Sequence, residues 1–537
     1  MTESSAPSSG PAAPSDAVHH APRVIGSWGA FGIVAGSMIG VGIFIFLPKV
    51  ASGVGTLPLF FGMLLLGGLF ALAGSVACGE LGAMIPKAGG DYVFQRHAYG
   101  KSVAFASGWV LFAAIFAGSI ATLAIPLFQF DIGPLFGVDL MSPLFGHEVA
   151  GKFVGDPVIG HLTGAHFAAI GLILVLTALN DLGTSVSAKA QLVLTLLPIG
   201  AMLVLAAVIL VGQPEVVKPP TGGELATLPS TLTLAGLATA FLGVNFIFSG
   251  WINIIYVASE VKDPGRTIPR SMISATGAVT VLYILMAAAF VAVLGLAGVA
   301  SKGTPPWEGG LGFDAGTRTA NALGLSDLGP VVLIIITLAI LTSINATIMG
   351  GARVGYAMAA DGAFWRPIAK LSGRRKTPRR ALWFLAALAC VIVLSGTGEA
   401  IGEMTSLAMF VTGGLTVAAV FVLRRKMPDT PRPYRAMAYP ILPGLYVLLA
   451  VAAIAAKLWD ATQQEDGAAA WYPLIGLGIL CVTWVGHLLY SRRWKSAAVV
   501  SLTFLIGGAL FDGAIQPTSD AHAAPPTPAG ATDVVRP

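Results

Sequence analysis

The sequence predicts an all-α, polytopic membrane protein of twelve spans, and three observations carry that prediction. Only 11% of the 537 residues are charged while 55% are hydrophobic, and the mean hydropathy is +0.81. Apolar runs of bilayer length, ~20 residues each, recur from end to end. The first and sixth of these runs are interrupted by glycine at corresponding places, as expected for two repeats whose leading helices are broken.

The runs fall near 28–47, 57–79, 102–128, 166–183 and 190–212, then 232–257, 274–299, 328–357, 381–396 and 401–423, with two more at 440–459 and 470–490. A further stretch, 496–515, is either a thirteenth span or a helix lying on the membrane surface. The expected organisation follows: a five-span repeat over 23–212, a second over 231–425, and two peripheral spans over 439–491. Residues 1–22 and 516–537 are rich in Ser, Pro and Ala and read as disordered tails.

Lysine and arginine set the orientation, because cytoplasmic loops hold their excess. With the N-terminus inside, the inner segments collect Arg23, Lys87, Arg96, Lys101, Lys189, Lys262, Arg266, Arg270 and the clusters at 366–380, 424–435 and 492–495. A multi-pass protein of the inner (plasma) membrane with a cytoplasmic N-terminus is expected. The net charge of +5 calls for anionic lipid at those loops rather than nucleic acid. Cys78, Cys390 and Cys481 lie within or beside apolar runs without metal-ligand spacing, so neither a metal site nor a disulfide-linked partner is expected. No phosphate-binding loop or catalytic set appears, which disfavours an ATP-driven pump and an enzyme. A channel is disfavoured by the lack of a continuous polar lining. The oligomeric state is not legible.

The two interruptions carry the function. Gly36-Ser37-Met38-Ile39-Gly40-Val41-Gly42 breaks the first span, and Phe246-Ile247-Phe248-Ser249-Gly250-Trp251 breaks the sixth. Gly32, Gly36 and Gly40 also have the four-residue spacing of close helix packing, but Gly42 lies off that stripe. Amides freed at a half-helix N-terminus attract a carboxylate, and carbonyls freed at a half-helix C-terminus attract an ammonium. Together they suit a zwitterion.

Five motifs then bring a family into view: Gly36 to Phe44 (GSMIGVGIF), Gly79 to Gly100 (GELGAMIPKAGGDYVFQRHAYG), Phe246 to Arg270 (FIFSGW and EVKDPGRTIPR), Ala352 to Gly362 (ARVGYAMAADG) and Leu423 to Arg435 (LRRKMPDTPRPYR). From about Gly26 to beyond Pro443 the chain resembles the amino acid permeases of the APC (amino acid, polyamine, organocation) superfamily, in particular bacterial L-amino acid transporters. The resemblance implies a LeuT-type fold of 5+5 inverted repeats, with spans 1 and 6 discontinuous, and secondary transport by alternating access. It implies that amides of Gly40, Val41 and Gly42 hold the substrate carboxylate, and that carbonyls of Ser37 or Met38 and of Phe246, Phe248 or Ser249 hold its amine. Ile39 and Gly250 complete the two breaks. Phe246, Ile247 and Trp251, with Trp109, Asn345 and Met409 from facing spans, are expected to set selectivity. Phe246 doubles as a candidate lid.

Departures from the family pattern refine the expectation. Met38 and Val41 stand where many members have Gly and Ser, and Pro198 follows Gln191 at the spacing where some relatives place a Lys. Thr342 and Ser343 offer hydroxyls for a sodium ion, and Glu80 is a candidate proton-linked group, so the coupling ion is Na+ or H+. Ile252 stands where cation-transporting relatives often carry a carboxylate, which favours neutral L-amino acids over the alternative of a cationic amino acid or polyamine exchanger. Glu80, Asp91, Glu260, Asp263 and Arg266 are gating candidates at the inner ends of the spans, with Glu260 and Arg266 as one pair, and Glu403 is one at the outer end. Some relatives assemble with a single-span glycoprotein through a disulfide, a link this chain's cysteine-free outer loops do not offer.

Overall fold

The computed structural model describes residues 22–40, 42–142, 144, 146–149, 152–155, 162–211, 233–301, 315–322, 329–373, 376–395, 398–463, 478, 481 and 483. The first broken span is built from α1 (Ser27–Met38), α2 (Gly42–Ile45) and α3 (Leu47–Val54), followed by α4 (Leu57–Met84) and a short helix, α5 (Asp91–Tyr99). The third is α6 (Lys101–Trp109), α7 (Ala117–Pro126) and α8 (Gly133–Phe136), joined through π-helical turns at Val110–Phe116 and Leu127–Ile132. After a hairpin of β1 (Gly146–Val149) and β2 (Lys152–Gly155) come α9 (Gly164–Asp181) and α10 (Thr184–Val211). The hairpin is the one departure from an all-helical prediction among the described residues, and it sits in the longest polar loop.

The second half opens with α11 (Leu234–Ile247) and a 3-10 helix, Asn253–Glu260, then continues with α12 (Pro264–Ala300), α13 (Ala315–Ala322), α14 (Gly329–Ala360), α15 (Arg379–Leu394), α16 (Gly398–Lys426) and α17 (Ile441–Gln463). Among the described residues eight helices are long and apolar enough to cross a membrane, and two shorter apolar helices, Gly236–Ile247 and Ile441–Ala456, join them. The chain is thus a multi-pass membrane protein. The predicted span at 470–490, apart from 478, 481 and 483, and the stretch 496–515 lie outside the described residues, as does the Glu403 side chain.

Two boundaries move for one physical reason. The apolar reading ends the second span at 79 and starts the seventh at 274, whereas α4 runs to Met84 and α12 begins at Pro264. Hydropathy stops at the first charge, but a helix continues when that charge is paired or faces outward. Glu80 is buried and paired, and Arg266 and Arg270 occupy an exposed face opposite buried Ile268 and Met272.

The core lies around the two broken elements. Helix α1 packs on α10, α12 and α14, α11 packs on α3, and α12 packs along α4. Peripheral α9 and α10 turn Val175, Val193, Leu197 and Val204 outward, as expected where lipid is the solvent.

Candidate functional site

Helix α1 carries no charged residue and ends after Met38, where Ile39 leaves helical geometry at φ −78° and ψ 95° while its amide still bonds the Ala35 carbonyl at 2.8 Å. Gly42 opens α2, so the first amides of that turn have no helical carbonyl ahead of them. Val41 lies outside the described residues. The matching helix α11 ends at Ile247, and Gly250 takes φ +101° in the turn that follows.

The sequence places these two breaks at corresponding positions, and the structure brings them into contact. A side chain on Gly250 would collide with the carbonyl group of Ser37, and one on Gly42 would lie 3.0 Å from the Ile247 Cα. Each break therefore needs a bare backbone because the other is already there. This is the close approach that glycine permits.

Freed carbonyls mark the end of α1. The Tyr283 hydroxyl of α12 donates to the Met38 carbonyl at 2.6 Å, and the Ser343 hydroxyl of α14 approaches the Ser37 carbonyl at 3.5 Å. At the other break the Phe246 carbonyl accepts from the Ser249 amide at 3.1 Å and from its hydroxyl at 2.9 Å. Phe246 is half-buried and stacks on Phe46, with ring centroids 4.9 Å apart and planes within 3°. That pair joins the segment between α2 and α3 to α11.

Several predicted specificity residues turn out to face elsewhere. Asn345 is fully buried and engages α9 and α10 rather than the breaks: its amide donates to Gln191 Oε1 at 2.7 Å and its oxygen accepts from Asn180 at 2.8 Å. Trp109 packs on Phe364, and Trp251 lies over Gly74 and edge-on to Tyr446. Phe248 meets Tyr283, and Ile247 is fully buried, whereas Met409 is partly exposed. Periodicity marks these side chains as inward-facing but cannot say which interior they face.

The predicted cation-coupling pair divides. The Ser343 hydroxyl faces the Ser37 carbonyl of α1, but the Thr342 hydroxyl lies 2.7 Å from the carbonyls of Leu194 and Leu338, on α10 and on its own helix. Gln191 and Thr195 of α10 fill the neighbouring space. The Gln191 amide donates to the Thr342 carbonyl at 3.2 Å, and the Thr195 hydroxyl donates to the Gly32 carbonyl at 2.9 Å. Gly36 is bare where these side chains crowd α1.

The gating candidates are also rearranged. Glu260 does not pair with Arg266, which is exposed. It binds Arg353 of α14 at 3.0 Å, and that guanidinium also donates to the Met349 carbonyl at 2.8 Å and the Thr184 hydroxyl at 2.9 Å. The Glu260 carbonyl meanwhile accepts the amides of Val24 and Ile25 at 2.9 and 3.0 Å, and Lys262 returns a bond to Ile25 at 2.8 Å. The chain entering α1 is thus strapped to the far end of the second broken span. Arg353 is the residue that sequence reasoning missed. Its one signal is a lone arginine within an apolar run.

Glu80 is not at a wet boundary. It is 1% exposed, binds Arg424 at 2.9 and 2.6 Å, lies 3.4 Å from Arg432, and accepts the Ala436 amide at 2.6 Å. Asp91 is 2% exposed and accepts the Tyr256 hydroxyl at 2.8 Å. Asp263, at φ +43°, instead starts α12 through main-chain bonds to Arg266 and Thr267.

Comparison with known proteins places the chain in a family. The family model for amino acid permeases matches residues 25–485. The chain is 26% identical over 449 residues to the large neutral amino acids transporter small subunit 2 of Mus musculus, covering 82% of this chain and 77% of that protein. It is 27% identical over 430 residues to the serine/threonine exchanger SteT of Bacillus subtilis (strain 168), covering 79% and 89%. The human cystine/glutamate transporter is 25% identical over 429 residues, covering 80% and 79%. Each of these is a transporter or exchanger by name, and the match spans both broken elements and the helices packed around them: the chain belongs to the amino acid permease family.

Proposed function

We propose that this permease is a secondary transporter of neutral L-amino acids that works by alternating access around its two broken helices. The contact of Gly250 with Ser37 and of Gly42 with Ile247 carries the reading. It joins a half-helix N-terminus to half-helix C-termini in one place, where a carboxylate and an ammonium find opposite partial charges a few ångströms apart. The amides of Gly40, Val41 and Gly42 receive the carboxylate, and the carbonyls of Ser37, Met38, Phe246, Phe248 and Ser249 receive the amine. Phe246, stacked on Phe46, closes the outer side.

Neutral substrates follow from charge. Among the described residues from Ile25 to Val54 and from Thr233 to Ser259, Lys49 is the sole charged side chain, and it lies over the Phe46 ring at 5.5 Å. A cationic or anionic side chain would enter this site without a partner, at a cost of several kcal/mol. Two of the named relatives, the neutral amino acids transporter and the serine/threonine exchanger, support the same class.

The reading extends to the whole chain as 5+5 inverted repeats over 23–212 and 231–425, peripheral spans over 439–491, and a cytoplasmic N-terminus in the plasma membrane. It works without a disulfide-linked partner. For coupling, a sodium ion at Ser343 and Thr342 is favoured by the approach of Ser343 to Ser37, but the Thr342 bonds to Leu194 and Leu338 weigh against it. Radiolabelled uptake into proteoliposomes tests the proposal. Neutral amino acids should accumulate better than arginine or glutamate; the reverse order overturns the substrate class, and imposed sodium, proton and internal amino acid gradients separate the coupling modes.

A further inference from the structure

Two acceptor oxygens on α5 are buried without a hydrogen-bond partner, and they belong to Asp91 and Gln95. One helical turn separates the residues, so their side chains share a face with Cβ atoms ~5–6 Å apart. The orientation of the Gln95 amide is fixed by chemistry. Its nitrogen donates to the Thr412 carbonyl at 3.0 Å and the Thr416 hydroxyl at 2.9 Å, and the Thr412 carbonyl can only accept. The Gln95 oxygen is left without a donor, as is Asp91 Oδ1. A buried carboxylate one helical turn from a second orphaned acceptor is an arrangement that proteins avoid. A single proton on Asp91 Oδ1 would turn that oxygen into a hydroxyl donor on the helix face it shares with the Gln95 oxygen.

Among the described residues no cation takes that part instead. Arg96 pairs with Asp361, Arg353 with Glu260, and Arg424 with Glu80, while Lys426 donates to the Ala98 carbonyl at 2.7 Å. Lys101 is exposed, and His97 bonds the Val93 carbonyl at 2.7 Å. The other titratable groups facing Asp91 are Cys78 of α4, Tyr256 of the 3-10 helix and Tyr446 of α17, all neutral when protonated. Glu80, the sequence's candidate for this role, has both oxygens taken by donors.

We propose that Asp91, together with Gln95, is a proton-binding site that links pH to the packing of α5 against the inner half of the second broken span, through Tyr256. The proposal rests on the carrier reading above for its consequence, though not for the site itself. The proton comes from water on that side and returns to it when α5 separates from the 3-10 helix and the carboxyl is hydrated. Burial pushes the Asp91 carboxyl up to about 6 against the opposing hydrogen bond of Tyr256 and the smaller effect of the nearby Thr416 hydroxyl, whereas a hydrated Asp titrates at ~3.9.

The sign follows from that difference. A group that binds its proton more tightly in the packed state favours packing fully below ~3.9. That advantage is lost as pH rises to about 6. Over this window the ratio of packed to open conformers falls by up to ~100-fold. Acid therefore holds this end of the carrier closed.

pH-difference infrared spectroscopy on the full chain in nanodiscs, from about pH 5 to about pH 8, reads the site without requiring transport. A carboxyl band titrating near 6 in the wild type and missing from Asp91→Asn is the expected result. Tyr256→Phe removes a donor to the charged form and should raise the midpoint, while Gln95→Met removes the acceptor of the neutral form and should lower it. Opposite shifts from two neighbours are not what a packing defect gives, and each folds or fails independently of Asp91→Asn. Identical titrations for wild type and Asp91→Asn overturn the site. Exchange in proteoliposomes over the same range should vary with pH in the wild type and be flat in Asp91→Asn; a titrating band with identical exchange profiles overturns the link to gating. If no neutral amino acid is bound or exchanged by the wild type, the carrier reading fails while the infrared result still decides the site.

Discussion

Gly250 faces the main-chain carbonyl of Ser37 at a distance that excludes a Cβ, with φ at +101°. Conformation and contact thus demand glycine independently. The backbone term is ~1–2 kcal/mol for an L-residue forced to positive φ, and the contact adds displacement of the Ser37 carbonyl. Gly250→Ala is expected to abolish uptake in proteoliposomes and to lower the melting temperature in detergent. Wild-type uptake by this variant would mean that the two breaks do not need to touch.

Gly42 supports a separate prediction because its neighbour is backbone rather than a movable side chain. A Cβ there lies 3.0 Å from the Ile247 Cα, so Gly42→Leu must push α2 away from α11. Amino acid affinity is expected to fall at least ~10-fold, equivalent to ~1.4 kcal/mol, with helical content by circular dichroism unchanged. Retained affinity in a binding assay would place the carboxylate elsewhere.

Much of the helical frame is legible in the sequence because a bilayer imposes it: length and apolarity recover nearly every described span, and the glycine runs mark both breaks. What periodicity does not supply is pairing. Proximity along the chain suggests Arg266 as the partner of Glu260, yet the guanidinium that reaches this carboxylate is Arg353, from a helix distant in sequence. Asn345 reads as a site residue because polar groups inside a membrane default to function, but its partners Gln191 and Asn180 lie on α10 and α9. The lining of a site depends on helix rotation, which local sequence does not encode.

The buried pair of Glu260 and Arg353 has side chains 4% and 2% exposed, so losing one partner strands the other. Each of Glu260→Leu and Arg353→Met is expected to cost ~3–5 kcal/mol, read as a loss of thermal stability. The double variant Glu260→Leu with Arg353→Met strands no charge and should be more stable than either single one. Purely additive losses would show that the pair is not coupled, and that the strap of Val24 and Ile25 on the Glu260 carbonyl holds this end by itself.

Gln191 of α10 binds α14 twice, accepting from Asn345 at 2.7 Å and donating to the Thr342 carbonyl at 3.2 Å, beside the bare backbone of Gly36 in α1. Gln191→Glu keeps the acceptor and loses the donor, and an ionised carboxylate would then oppose the Thr342 carbonyl across a dry interface. Protonation restores a donor of nearly the same shape. Transport by Gln191→Glu is therefore expected to be depressed at neutral pH and to recover as pH falls, with Gln191→Leu depressed throughout. Because Asp91 also responds to acid, the measurement is made in the Asp91→Asn background, where the remaining pH dependence belongs to the new carboxyl. Equal activity of the Glu and Leu substitutions at every pH would show that Gln191 fills space without positioning α14 against α1.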